Sequence, residues 1–164
     1  MAYSDKTFKE RFETMGDPCE DAFRRWAPTK KIRFADYGLK RPPFLRFHDL
    51  SEMVKATPDF VCEGAKRTKF FVECKGTGGR VLKIKLETMR TLQSWQEQMP
   101  VYFFVFDSNN KRCSFLSYRD MQTICETCKV YTFQSDNKEY YSISATKLLW
   151  TDIGDLYEQQ VIGY

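Results

Sequence analysis

The stretch Pro58-Asp59-Phe60-Val61-Cys62-Glu63-Gly64-Ala65-Lys66-Arg67-Thr68-Lys69-Phe70-Phe71-Val72-Glu73-Cys74-Lys75-Gly76 decides the fold. Two runs rich in aromatic and β-branched residues flank a short polar loop containing glycine, which is the pattern of a β-hairpin. With the loop centred on Lys66, Glu63 faces Lys69, Val61 faces Phe71 and Asp59 faces Glu73. Side chains alternate along a strand, so Asp59, Glu73 and Lys75 share one face while Phe60, Cys62, Phe70, Val72 and Cys74 point the other way. Directly opposed carboxylates repel one another and gain nothing for a sheet. They make sense with a hard divalent cation between them, because magnesium takes oxygen ligands and keeps several waters.

Outward from the hairpin, Val81–Lys85 reads as a third strand. Leu86, Met89, Leu92, Trp95 and Met99 then mark one face of a helix that stops at Pro100. Val101–Asp107 is a near-continuous apolar run, the pattern of a strand covered on both faces. Toward the N-terminus, Phe8, Phe12, Met15, Cys19, Phe23 and Trp26 recur at helical spacing. Gly16-Asp17-Pro18 interrupts them; Asp17 suits an N-cap and Pro18 the first helical position, which predicts two helices meeting near residue 16. Residues 28–50 read as a surface connection with one short strand around Lys31–Ala35. Later strands are expected at 112–118, 129–134 and 138–144, with a short helix over 118–127. The order is α, β-hairpin, β, α, β and a mixed tail, an α/β class.

At 164 residues the chain suits one domain, 1–164, with a core at about 8–107 and a C-terminal extension at 108–164. No run approaches the roughly 18 apolar residues that a membrane span needs, and no apolar stretch follows the N-terminal charges. The expectation is a soluble, intracellular protein with no membrane partner, its six cysteines reduced. Residues 1–90 hold 20 Lys and Arg against 13 Asp and Glu, a net of +7; residues 91–164 hold 6 against 9, a net of −3. The basic half is the half with the opposed carboxylates, as a polyphosphate substrate would select. A merely soluble charged face explains the same asymmetry.

Phosphodiester hydrolysis gives those residues roles. A cation held by Asp59, Glu73 and the backbone carbonyl of Cys74 would polarise a phosphate and lower the pKa of a bound water. Lys75 would orient that water and balance charge in the transition state. Pro58-Asp59, thirteen residues, then Glu73-Cys74-Lys75 resembles the signature of the PD-(D/E)xK nuclease superfamily, which includes restriction endonucleases and Holliday junction resolvases. The resemblance covers roughly residues 8–107. It implies a restriction-endonuclease-like αβββαβ core with a mixed central sheet flanked by helices, here with extra C-terminal strands. It implies an endonuclease on DNA, structured or branched DNA included, dependent on Mg²⁺ or Mn²⁺, with Asp59 and Glu73 binding metal and Lys75 catalytic. Relatives that cut both strands work as dimers, which makes a homodimer the expected form.

Family members also carry a Glu on the first helix that reaches the metal, and Glu20 resembles it. Asp17 and Glu20 also have the spacing of a capping box, which needs no catalysis, so both readings stand. Lys85, Glu87 and Gln93 are candidates for a polar contribution near the phosphate, with a solvated helix face as the alternative for the last two. Lys66, Arg67, Lys69, Arg80, Lys83 and Lys85 could line a phosphate track, with Arg24, Arg25, Lys30, Lys31 and Arg33 as a second patch. Cys125-x-x-Cys128 is half a zinc site with no second pair, and the only histidine is His48. Gly76-Thr77-Gly78-Gly79 lacks the Lys-Ser/Thr of a P-loop and reads as a turn. The aromatic C-terminal third, with Phe115, Tyr118, Tyr131, Phe133, Tyr140, Tyr141 and Trp150, is read mainly as core, with a dimer or partner surface as alternatives. The runner-up function is a non-catalytic nucleic-acid-binding or assembly module retaining the fold. Opposed carboxylates favour catalysis, since binding alone has no need of them.

Overall fold

Asp17 starts the first helix. Its carboxylate accepts from the backbone N–H of Cys19 (2.8 Å) and Glu20 (3.3 Å), and Pro18, lacking an N–H, fills the first position of α1 (Pro18–Trp26). Cys19, Ala22, Phe23 and Trp26 form its buried stripe. The computed structural model describes residues 17–38 and 51–158. The expected helix bearing Phe8, Phe12 and Met15, and His48, lie outside the described residues.

The remaining helices are α2 (Glu52–Lys55), α3 (Leu86–Gln96), α4 (Tyr118–Glu126) and α5 (Asp155–Glu158). The strands are β1 (Arg33–Asp36), β2 (Phe60–Glu63), β3 (Lys69–Thr77), β4 (Val81–Lys85), β5 (Val101–Asp107), β6 (Arg112–Ser117), β7 (Lys129–Thr132), β8 (Glu139–Ser144) and β9 (Thr151–Asp152). A six-stranded sheet has the order β1-β2-β3-β5-β6-β9, and a three-stranded sheet the order β4-β8-β7. Among the described residues only β3 and β5 pair in parallel, joined through β4 and α3; the other pairings are antiparallel. The central sheet is therefore mixed, as expected.

The hairpin register is the expected one: Phe60 pairs with Val72, Val61 with Phe71 and Glu63 with Lys69. The turn is closed by Gly64 N–H to Thr68 O (2.8 Å) and Arg67 N–H to Gly64 O (3.0 Å). Phe60, Cys62, Phe70, Val72 and Cys74 face α1, where they pack with Phe23, Trp26, Phe104 and Phe106. The opposite face carries Phe71, Val101, Phe103 and Val105 against α3, α4 and the inner side of the small sheet. β5 is thus covered on both faces, as its apolar run requires.

The core order differs from the expected one in one member. Val81–Lys85 was the expected third strand, but β4 leaves the central sheet, and the third strand beside β2 and β3 is β1. The reason is visible in the patterns. Leu82 and Ile84 are buried while Val81 and Lys83 are exposed, so β4 has a single apolar side and suits an outer layer. The Gly78-Gly79 turn redirects the chain: Gly79 has φ +105°, and a Cβ there would lie 2.9 Å from the Asp107 carboxylate. β6 and β9 join the central sheet, while β7 and β8 build the small one. Among the described residues no helix is long and apolar enough to cross a membrane.

Candidate active site

β3 runs on past the start of β2, so Cys74 has no β2 residue opposite it. The Asp59 carboxylate takes that place: Oδ2 accepts the Cys74 N–H at 2.7 Å. Asp59 is itself pinned, because its carbonyl accepts from Tyr37 N–H (2.9 Å) and Gly38 N–H (3.1 Å) at the end of β1. Gly38 passes so close that a Cβ would lie 3.1 Å from Asp59 Cα and 3.3 Å from Oδ1. Glycine is the residue that leaves Asp59 this room. On the next residues of β3, Lys75 Nζ stands 2.9 Å from Glu73 Oε1, with side-chain exposures of 27% and 13%.

These three side chains are electrostatically one unit. Burial and then the Glu73 carboxylate push the Asp59 pKa up to about 9, against the Cys74 N–H and the Lys75 amine, which favour its charge; Glu20 adds to the rise. For Lys75 burial works to lower the pKa, but the Glu73 carboxylate, its hydrogen bond and Asp59 outweigh it, so the amine is held cationic above the usual lysine range. With Asp59 and Glu73 both ionised, one ammonium leaves the cluster short of positive charge, so burial and this imbalance together keep the metal-free Asp59 protonated up to about pH 9. The donor chemistry, carboxylate oxygens beside the strand edge that carries the Cys74 carbonyl, fits a hard divalent cation. Among the described residues no three Asp, Glu, His or Cys side chains converge as a set; Asp59 is turned to the Cys74 N–H and Glu73 to Lys75.

The other candidates are distributed as follows. Glu20 stands at the N-terminus of α1, where Asp17 caps the helix, and acts on Asp59 through its charge. Lys66 and Arg67 are at the tip of the hairpin and Lys69 at the start of β3, roughly 20 Å along the strand from Lys75 at ~3.3 Å per residue. Arg80 lies in the β3–β4 turn, and Lys83 and Lys85 point outward from the small sheet. The six residues therefore occupy three places and do not form one track. In the second patch Arg24 pairs with Asp36 (2.7 Å), Arg25 with Asp21 (3.0 Å) and Arg33 with Glu63, so much of its charge is neutralised locally. Lys85 and Glu87 turn to Asp136 (3.0 Å) and Lys138 (2.8 Å), and Gln93 lines a groove between α3 and α4. Cys125 is buried in the α4 core, and burial pushes its thiol up to about 12.

Residues that sequence reasoning passed over also shape the site. Gly38 and Tyr37 hold Asp59, and Cys19 sends its thiol to the carbonyls of Lys75 and Phe104, both at 3.3 Å, tying α1 to the two parallel strands beneath the site. The pair Tyr37-Gly38 was a possible turn signal inside 28–50, but nothing local ties it to Asp59, 21 residues beyond Gly38.

In the central sheet and its flanking helices, a helix (α1), three strands (β1, β2, β3), a helix (α3) and a parallel strand (β5) follow in order around Asp59, Glu73 and Lys75, which is the expected αβββαβ order with β1 in place of β4. No family model matches the chain, and no curated protein matches it. Among solved structures the chain is similar to Archaeoglobus fulgidus Hjc, a Holliday junction resolvase from an archaeal hyperthermophile, at 14% identity and a TM-score of 0.48, over 84% of this chain and 98% of that one. It is also similar to D212, a nuclease from a fusselovirus, at 13% identity and a TM-score of 0.45, over 94% of this chain and 97% of that one.

Proposed function

We propose that the chain is a metal-dependent deoxyribonuclease, an endonuclease hydrolysing phosphodiester bonds with Asp59, Glu73 and Lys75 as its catalytic centre. The observation that carries this reading is the charge imbalance: burial and then the Glu73 carboxylate raise the Asp59 pKa to about 9, and once both carboxylates are ionised one ammonium does not neutralise them. Such a pair serves no stabilising purpose, since a like charge nearby costs stability in either ionised state.

Asp59, Glu73 and the Cys74 carbonyl would hold Mg²⁺ or Mn²⁺, with Glu20 as a further carboxylate. When bound, the metal would polarise the scissile phosphate and make an attacking hydroxide available near neutral pH. Lys75 is held cationic by its neighbours, so its part is to donate hydrogen bonds to, and stabilise, negative charge growing on the phosphate, while orienting the water beside Glu73. The Cys74 N–H fixes the Asp59 carboxylate, and the Gly38 approach fixes its backbone, so the donor is preorganised. One centre per chain cuts one strand; cleavage of both strands of a duplex or junction requires a second copy, and the proposal extends to a homodimer.

A second reading, a non-catalytic binding module, draws on the Glu73–Lys75 pair, which is complete without a metal. Cleavage of labelled duplex, single-stranded, flap and four-way-junction DNAs with Mg²⁺ or Mn²⁺ separates the two, with EDTA and Lys75→Ala alongside. Metal-dependent cutting lost in the variant is the expected result. Intact binding without cutting at any metal concentration gives the answer to the second reading.

A further inference from the structure

The small sheet presents a surface that the catalytic proposal does not use. Its inner side, with Leu82, Ile84 and Ile143, belongs to the core. The register puts Lys83 and Lys85 of β4, Tyr140 of β8, and Lys129 and Tyr131 of β7 on the other side, facing out. Phe133, just beyond β7, folds onto the same side. Its ring centroid is 4.1 Å from that of Tyr140, and Tyr140 is stacked on Tyr131 at 6.0 Å. Lys83 Nζ lies 5.3 Å from the Tyr140 centroid and 5.7 Å from that of Phe133, and Lys85 Nζ lies 5.5 Å from Phe133.

This row of three rings is not a core. β7 is exposed along its whole length and Tyr131 is 48% exposed. The C-terminal aromatics divide here: Tyr118 is buried, Phe115, Tyr141 and Trp150 pack against the two cores, and Tyr131, Phe133 and Tyr140 do not. Nor is the lysine charge cancelled. Asp136 neutralises Lys85 alone, and among the described residues neither Lys83 nor Lys129 makes an ion pair.

Rings interleaved with free ammonium groups suit a particular partner. Lysine is depleted at protein–protein interfaces, which argues against a folded protein. A duplex hides its base faces in its own stack, which leaves exposed rings with nothing to bind. An unpaired strand offers both halves of the match, since every base has a face to stack on a ring and every linkage a phosphate for a lysine.

We infer that the outer face of β4-β8-β7 binds single-stranded DNA, with bases stacking on Tyr131, Tyr140 and Phe133 and the backbone neutralised by Lys83 and Lys129. The face is joined to the catalytic centre. Thr77 Oγ1 donates to the Val81 carbonyl at 2.8 Å, Thr77 is two residues from Lys75, and Val81 two from Lys83. At ~3.3 Å per strand residue the backbones of the two lysines are separated by no more than roughly 20 Å, close enough for a strand held on the face to be delivered to the catalytic centre. The choice of DNA over RNA rests on the proposed deoxyribonuclease activity; the recognition of an unpaired strand does not.

The test is fluorescence anisotropy in EDTA, so that binding is read without cleavage. Fluorescein-labelled oligo(dT) is compared with a DNA hairpin of equal length and with oligo(rU). The expected result is tightest binding to oligo(dT), weakened about 5- to 100-fold by Tyr131→Ala and restored by Tyr131→Phe. Lys83→Ala is expected to reduce the slope of log affinity against log salt by about 0.7. Melting followed by circular dichroism checks that each variant is folded, and Tyr131 is exposed enough that its loss leaves the fold intact. Unchanged oligo(dT) binding in folded Tyr131→Ala and Lys83→Ala, equal or tighter binding of the hairpin, or no binding of any single strand overturns the inference; tighter binding of oligo(rU) overturns its assignment to DNA. A protein that binds oligo(dT) in this way but cuts nothing retains the face and loses the nuclease reading. One that cuts DNA with no role for Tyr131 does the reverse.

Discussion

Lys75 and Lys83 are eight residues apart on consecutive strands, and the protein treats them in opposite ways. Lys75 points from the central sheet into a half-buried cluster, where Glu73 sits 2.9 Å away and Asp59 adds a second carboxyl group. Lys83 points out from the small sheet onto the rings of Tyr140 and Phe133 with no carboxylate partner among the described residues. A cation desolvated among carboxylates is placed for chemistry on a reacting phosphate; a solvated cation over aromatic rings is placed for holding a backbone. On the proposed reading the two sheets divide one task, cleavage at the central sheet and capture at the small one.

The largest expected effect belongs to the central sheet. Lys75→Ala should lower metal-dependent cleavage by about 10²–10⁴-fold, or about 3–5 kcal/mol in the transition state, with single-strand affinity unchanged. Single-turnover kinetics set beside anisotropy checks this. A fall in both together would mean that the two lysines belong to one binding surface, and the division between the sheets would fail.

A second effect concerns pH. Asp59 has its folded pKa raised from 3.8 to about 9, so between those values the metal-free folded state binds more protons than the unfolded state. The contribution of Asp59 to stability is therefore fully present at the acid end of that window, declines as pH rises through it and is lost above about 9. Asp59→Asn should flatten the decline. Added Mn²⁺ or Mg²⁺ should raise Tm, and more at pH 8 than at pH 5, because the cation competes with the proton for the same carboxylates. Thermal melts across pH, with and without metal, read both. A metal-independent profile would leave Asp59 and Glu73 as structural acceptors, of the Cys74 N–H and of Lys75.

The turn between the sheets comes next. Gly79 has φ +105°, and a Cβ there would stand 2.8 Å from Asn110 Nδ2 and 2.9 Å from Asp107 Oδ2. Asp107 is fully buried and holds Arg112 at 2.7 Å, so it has little freedom to yield. Gly79→Ala should cost about 1–3 kcal/mol in urea unfolding. A neutral result would show that the path of β4 out of the central sheet is not set by this glycine.

The hairpin and its register were legible because period-two alternation and a five-residue loop are local properties, and they alone brought Asp59, Glu73 and Lys75 together. β5 was legible for the same reason, its run being apolar on both sides. The departure of β4 was not, because Val81–Lys85 alternates equally well in either sheet, and the choice between them rests on β8, some sixty residues later, and on a glycine packed against Asp107. β1 was found as a strand, but its place beside β2, and with it the Gly38 contact on Asp59, depends on a pairing between residues about 27 apart. The outer aromatic face was hidden by the same long range. Tyr140 and Tyr141 are equivalent in sequence, and only the pairing with β4 sends one to the surface and the other to the core.

The smallest expected effect follows from that last distinction. Tyr131→Ala should change stability by no more than about 0.5 kcal/mol, since the side chain is 48% exposed on an edge strand and packs on one ring. Phe103→Ala, fully buried between the central sheet and α3, should cost about 3–5 kcal/mol. Urea denaturation of the two variants compares them directly. The contrast gives the outer face its meaning, because an aromatic ring that contributes little to folding has been kept at the surface against the cost of exposing it to water, and a ligand that stacks on it supplies the reason. A loss at Tyr131 approaching that at Phe103 would make the ring part of the core after all, and would remove the ground for a strand of DNA across the small sheet.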